Sequence, residues 1–536
     1  MNLFQWFKNK IYSLVRIKRL NGTPNDNRLT FISDDEAIFI EKIRANKVWY
    51  YGDGDEILNY YTGQVAFGWL ANPIYNRNKR NYFWGLSATE CDIKRIHCGI
   101  PKAIVDTTTN IIGKPTITSS DSRLKDILKT NDFMFKLTQQ YRPMTLVEGD
   151  GCLKINFNKA LSEHPIFEYY GAEDWQPIVA QGILLGLMFK NYYKDAKGRN
   201  YVLIETRTLD ENGCLIEWNL YRLGKQNELN KVEFDAIPEL KQLETENRKH
   251  VGIRKLFATP LVYFYNPLRE NRGKSIYDGK LDLFDMMDEI WSQASQTNRV
   301  STPVEYYPTD ILERTKDGQP ILPKKYNRQF IGKAGMTDGD GANKTGQIVT
   351  TQPELNFDKY GLLYNDVLSC CLIGILSPSS LGIDVAKKDN ADAQREKEKQ
   401  SIFTRNNIID SETNDIKDFL EMALMIQDYL DLGEIKEENA YEISVEYNEF
   451  ANPSFESELQ VLGPAWSSGQ ISTKQFVKIL WAGKLNAEDM QAEIDYLEQN
   501  KQKDDIDLEA MMHEGPIKPS IPTAKDKEEQ PSQPQE

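Results

Sequence analysis

The sequence predicts an α+β protein built from more than one compact unit, and three observations carry the prediction. Apolar residues recur at helical spacing before residue 150 and again after residue 273. Between them, from Gly151 to Phe264, the pattern changes to short apolar runs broken by turn signals, as antiparallel strands require. At 536 residues, with 40% hydrophobic and 11% aromatic content, the chain exceeds one ordinary core and can build several.

Composition narrows function. A formal net charge of −15 and a pI near 5.1 argue against a protein that coats nucleic acid by bulk attraction, but they do not exclude one that handles DNA by avoiding adhesion. Cys91, Cys98, Cys152, Cys214, Cys370 and Cys371 form no CxxC pair, which fits buried thiols in a reducing compartment. Cys91, His97 and Cys98 lack a fourth ligand at zinc spacing, so no metal and no cofactor is expected. The longest apolar run, Leu368 to Leu376, is about half the roughly 20 residues a bilayer needs. The N-terminus sets Phe4, Phe7, Ile11, Leu14 and Val15 against Lys8, Lys10, Lys18 and Arg19. That pattern reads as an amphipathic helix docking on protein, with no signal peptide and no stable membrane association.

Taken in order, a polar linker over Asn21 to Arg28 precedes a helix from Ser33 to Ile57, opened by Ser33-Asp34-Asp35-Glu36. The Gly-Asp-Gly-Asp-Glu run at 52–56 does not complete a calcium loop and reads as a turn. A helix follows over Ile96 to Gly113, stopped by Gly113 and Pro115, and another over Asp121 to Glu148. The strand region offers His164 and His250 but no nucleophile with a base and no GxSxG, so no catalytic residue is assigned.

From Gly273 to Ser301 the apolar stripe Leu283, Met287, Ile290, Trp291 and Ala294 alternates with a carboxylate row, Asp278, Asp282, Asp285 and Glu289. Like charges at this spacing gain an isolated helix nothing. The row reads as solvated surface, as a metal site needing a second helix, or as a surface that repels a polyanion. Pro303 ends the helix, and a short excursion follows that is basic at Lys324, Lys325, Arg328 and Lys333. Its Gly-rich end at 335–346 lacks the glycine before Lys344 that a phosphate loop demands. A second, more apolar helix spans Phe357 to Leu376. A polar loop at 382–390 and a long helical pattern from Ala391 to Leu432 come next, with Ile402, Ile409, Ile416, Ala423 and Leu430 at heptad spacing. Arg405, Asn406 and Glu412 interrupt a coiled-coil seam, which favours a spine packed on its own chain or a neighbour. Tyr441 to Phe450 reads as a strand, short capped helices follow to residue 500, and the polar, Pro-rich remainder reads as disordered.

This order, carried by GKSIYDGKLDLFDMMDEIWSQASQTNRVSTP and GILSPSSLGIDVAKKDNADAQREKEKQSIFTRNNII, resembles the portal, or head-to-tail connector, proteins of tailed bacteriophages. The resemblance implies a portal-type, ring-forming architecture. An arm and linker at 1–32 would precede a mixed α/β wing at 33–265, a stem helix at 266–301 and a small clip with return strand at 302–354. A second stem helix at 355–376, a tunnel loop at 377–390, a long wing helix and strand at 391–450, crown helices at 451–500 and a tail at 501–536 would follow.

It further implies a homo-oligomeric ring of about twelve copies at one capsid vertex of a virion, assembled in the bacterial host cytoplasm. The ring would pass double-stranded DNA during packaging and ejection, and it would dock the large subunit of terminase, head-completion or adaptor proteins, and major capsid and scaffolding proteins. Asp278, Asp282, Asp285 and Glu289 would line the channel, Lys387 and Lys388 of the tunnel loop would touch DNA, and Lys324, Lys325, Arg328 and Lys333 would serve the clip's contacts. Leu283, Met287, Ile290 and Trp291 would pack the stem. The rival expectation is a metal-dependent phage or plasmid nucleic-acid-processing enzyme that uses the acids to hold Mg²⁺.

Overall fold

The computed structural model describes residues 29–30, 34–62, 81–159, 161–195, 197–211, 213–224, 228–244, 247–308, 312–322, 329–333, 348–351, 357–382, 391–433, 441–447, 462–480 and 490–498. The N-terminal arm, the Gly-rich run at 335–346 and the C-terminal tail lie outside these residues. The chain divides into two units, Met1–Phe450 and Ala451–Glu536.

In the first unit α1 (Asp34–Tyr51) buries Ile40, Ile43, Val48 and Trp49. The single helix expected to Ile57 is in fact two. Gly52, at φ +67°, closes α1 with its N–H on Val48 O, and the Asp53 carboxylate accepts from the N–H groups of Asp55 and Glu56 to start α2 (Gly54–Thr62). Helix α3 (Ile100–Ile112) opens with Pro101 in its first turn and stops at Gly113. It begins later than expected because Ile96 and Cys98 give their N–H groups to side chains elsewhere.

The helix expected over Asp121 to Glu148 is broken into α4 (Arg123–Thr130), α5 (Phe133–Lys136), a π turn at Leu137–Tyr141 and α6 (Arg142–Glu148). Asn131 sits at the break. Its side chain accepts from Phe167 N and donates to Pro165 O, a task a helix-interior asparagine could not perform.

The described residues of this unit also form the strands β1 (Leu29–Thr30), β2 (Pro115–Ser119), β3 (Gly151–Asn156), β4 (Ile166–Gly171), β5 (Trp175–Ala180), β6 (Ile183–Lys194), β7 (Asn200–Asp210), β8 (Gly213–Leu223), β9 (Glu228–Val232), β10 (Arg248–Val251), β11 (Ala258–Leu261), β12 (Val304–Pro308), β13 (Gln329–Lys333), β14 (Val349–Thr351) and β15 (Ile443–Tyr447). An antiparallel seven-stranded sheet runs β1-β9-β8-β7-β6-β5, with β10 also on β8. A three-stranded sheet runs β11-β3-β4, and β15 pairs with β2. The molecule is therefore α+β with antiparallel sheets.

Three helices organise the remainder: α7 (Leu281–Val300), α8 (Phe357–Leu372) and α9 (Ala391–Leu432). Between α7 and α8 lies a small sheet in which β12 pairs parallel with β13 and antiparallel with β14. Helix α8 ends sooner than expected, before Gly374 at φ +79°. Helix α9 occupies the span its periodicity predicts, 42 residues or about 60 Å.

Its interruptions have a cause inside the chain, because Glu412 is fully buried with Arg142 of α6. The carboxylate also accepts from Tyr263 and Tyr447, and Arg142 donates on to Gly113 O, so one ion pair ties α3, α6, α9 and β15. In the second unit Ser472 caps α10 (Thr473–Leu480). Phe476, Val477 and Leu480 meet Ile494 in a small core, with Trp466 stacked on Phe476.

Candidate functional site

The helix α7 does not begin at Gly273. Gly273 N donates to Asp150 Oδ2 at 2.8 Å, Lys274 N to Phe264 O at 2.8 Å and Ile276 N to Leu146 O at 3.0 Å, so neighbouring chain takes the bonds a helix would need. Gly279, at φ +72°, turns the backbone into Leu281. Asp278 is thus an exposed turn residue ahead of the helix and shares no helical row with the other acids.

Within α7 the acids divide by face. Asp282 is exposed and accepts from the Tyr82 hydroxyl at 2.6 Å, while the partly exposed Glu289 accepts from Gln293. Asp285 is only 7% exposed. Its two oxygens accept the backbone N–H groups of Phe83 and Trp84 at 2.7 and 3.2 Å. Burial pushes the Asp285 carboxyl up to about 6, against the pull of those two N–H donors. This corrects its expected place in the channel-lining row: a carboxylate enclosed by its own chain faces no lumen.

One turn on, Asp288 is fully buried. It accepts from Trp84 Nε1 at 2.9 Å and Cys98 N at 2.9 Å, and it pairs with His97 Nδ1 at 2.8 Å. Ser292 Oγ accepts from Ile96 N. Asp285, Asp288 and Ser292 stand at i, i+3 and i+7, so they form a buried polar stripe down one side of α7.

The stripe exists because residues 81–99, apart from a 3-10 turn at Phe83–Gly85, have no regular structure to satisfy their N–H groups. Burial and the Asp288 charge also push the Cys98 thiol up, so it is no activated nucleophile. His97 Nε2 is buried without a hydrogen bond among the described residues, over Gly52, where a Cβ would stand 2.9 Å away.

Of the apolar stripe, Met287 and Ile290 are buried and Leu283 is half-buried, while Trp291, 40% exposed, sets its ring 5.4 Å from Tyr364 of α8, the paired helix it was expected to meet. Phe284 is the fully buried aromatic of this helix, against Trp49 and Tyr277. Helices α7 and α8 lie side by side: Met287 Sδ is 3.5 Å from Cys371 Sγ, and Lys280 Nζ donates to the carbonyls of Cys370 and Ile373 at the end of α8. Leu362, Leu363 and Ile373 of this region remain exposed.

Of the basic candidates, Lys333 is the last residue of β13, opposite Pro308. Lys324, Lys325, Arg328, Lys387 and Lys388 lie outside the described residues. Among the described residues no group of three His, Cys, Asp or Glu is arranged to hold a metal ion, and no helix is long and apolar enough to cross a membrane.

No family model matches the sequence, and no curated protein matches it. Solved structures similar to the chain include two at 12% identity. One is a chain of the neck of a native gene transfer agent particle computed with C12 symmetry (TM-score 0.38, covering 75% of this chain and 92% of that one). The other is a chain of the virion of a native gene transfer agent particle (TM-score 0.33, covering 74% and 88%).

Proposed function

We propose that the chain is a structural subunit of a phage-like particle, a portal that closes into a ring of about twelve copies and conducts double-stranded DNA. The observation that supports this most is the succession of α7, a small three-stranded sheet, α8 returning beside α7, and then the 42-residue α9. A helical pair carrying a small sheet at one end suits a stem with a clip, and exposed apolar residues on α8 suit a neighbour's helix.

In this reading the channel wall carries Asp278, Asp282 and Glu289, without Asp285. Phosphates approaching such a wall are repelled over about one Debye length, 8 Å at physiological salt, so DNA slides instead of sticking. Lys387 and Lys388 would contact the backbone transiently from the loop before α9, and the basic segment holding Lys324, Lys325, Arg328 and Lys333 would meet the packaging motor and later the head-completion proteins.

Changing Asp278, Asp282 and Glu289 together to Lys tests the wall. The rings are expected to assemble normally while packaged DNA per particle falls about tenfold or more. Unimpaired packaging would remove these residues from the channel.

A further inference from the structure

The seven-stranded sheet has two unlike faces. On one, Tyr201, Leu203 and Leu220 are covered by Phe234, Ile237 and Leu240 of the 3-10 turns that follow β9. On the other, Val202 and Leu229 are buried, at 0% and 4% exposure, with Ile204, Tyr221 and Leu223 packed against them. Register puts these residues together, since Tyr221 stands opposite Val202 and Leu223 opposite Leu229. The described members of this second cluster all come from β7, β8 and β9. A sheet does not hide its own apolar face, because its strands lie side by side and their side chains stand out from it. A segment laid across β7 and β8 is needed to close it.

The chain joins the sheet at the margin of this face. Strand β1 pairs antiparallel with β9, Leu29 opposite Leu229, so the 28 residues that precede it are delivered there. They carry Phe4, Phe7, Ile11, Leu14 and Val15 at i, i+3, i+7, i+10 and i+11, which is one apolar helical stripe. The polar stretch from Asn21 to Arg28 separates that stripe from β1. Its extended reach is about 28 Å, whereas β7 lies two strand spacings, about 10 Å, from β9.

We propose that the N-terminal arm, residues 1–20, is the cover: it folds back over its own sheet and lays Phe4, Phe7, Ile11 and Leu14 on Val202, Ile204, Tyr221 and Leu223. Lys8, Lys10, Lys18 and Arg19 then stay on the outer side. The ring reading is not needed for this, because one copy of the chain suffices.

The test is photocross-linking of the full-length chain. The photoreactive benzophenone analogue of phenylalanine replaces the half-buried Tyr221 and, in a second preparation, Asn219 on the same face, opposite Ile204. After irradiation and digestion, mass spectrometry is expected to join both positions to residues 1–20 within one copy, as a mixture of isotopically light and heavy chains reports. Phe7→Glu with Ile11→Glu is expected to lower that yield about tenfold or more. The same analogue in place of the exposed Lys241, on the turns that cover the opposite face, is expected to give no link to the arm. The proposal is overturned if positions 221 and 219 link only to other segments, if light–heavy links replace those within one copy, if the arm variant links as well as the parent, or if position 241 links to the arm equally.

Discussion

At Asp288 three donors converge on one carboxylate that water does not reach: an indole N–H, a backbone N–H and an imidazole nitrogen. Removing the acceptor strands buried donors, which costs more than any single hydrogen bond contributes. Asp288→Ala should therefore lower the unfolding free energy by about 3 kcal/mol or more. Asp282→Ala, which releases one exposed tyrosine hydroxyl, should cost less than about 1 kcal/mol. Urea unfolding of the two variants checks this, and equal losses would mean that Asp288 is not the anchor of residues 83–98.

Asp285 makes the complementary case through pH. Its folded value, about 6, lies above the ordinary aspartate value of 3.8, so the folded state holds more protons between those limits. Its contribution to stability is full below pH 3.8 and is lost as pH rises toward 6. Asp174, raised to about 6, and Glu148 and Asp415, raised to about 7, add slopes of the same sign, so the diagnostic quantity is a difference. Melting temperatures of the parent and of Asp285→Asn, measured from pH 4 to 7, should show a shallower decline in the variant. Parallel curves would mean that Asp285 does not titrate in that range.

At the scale of elements, the decisive contact is the buried ion pair between α6 and α9. Arg142 and Glu412 are fully buried, and the glutamate also takes the hydroxyls of Tyr263 and Tyr447, whose phenols are pushed up by burial and by its charge. Arg142→Met leaves that carboxylate without a cation and should cost about 3 to 5 kcal/mol. Adding Glu412→Leu should recover part of the loss, because the uncompensated charge goes with it. A double variant as unstable as the sum of the single ones would show that the two residues act independently.

The same pair explains what the sequence could and could not reveal. The span of α9 was legible from its periodicity, yet the polar residues that break the heptad gave no sign of their partner, which lies 270 positions away on another helix. In α7 the apolar positions Met287 and Ile290 were legible, but the acids were not. The row at 278, 282, 285 and 289 assumed a helix that begins at Leu281 instead, and helical spacing does not tell a solvated carboxylate from one enclosed by an irregular segment 200 residues earlier. The break at Asn131 follows the same logic, since its side chain's bonds go to residues more than 30 positions on, whereas the break at Gly52 is closed locally by Val48 O and the Asp53 cap. Between Gly151 and Phe264 the alternation does not single out β4 and β5, whose burial follows no clean two-residue period.

At the scale of the whole molecule, the net charge of −15, the exposed Asp278 and Asp282 and the partly exposed Glu289 suit the proposed wall that DNA would pass without binding. The exposed Leu362, Leu363 and Ile373 are apolar surface that a ring would cover with the next copy. Whether many copies close around a channel is read by negative-stain electron microscopy of the purified chain. Face-on rings with about twelve-fold symmetry and a pore wide enough for a duplex, about 20 Å plus clearance, are expected; a uniform population of monomers or dimers with no central hole would overturn the proposed ring.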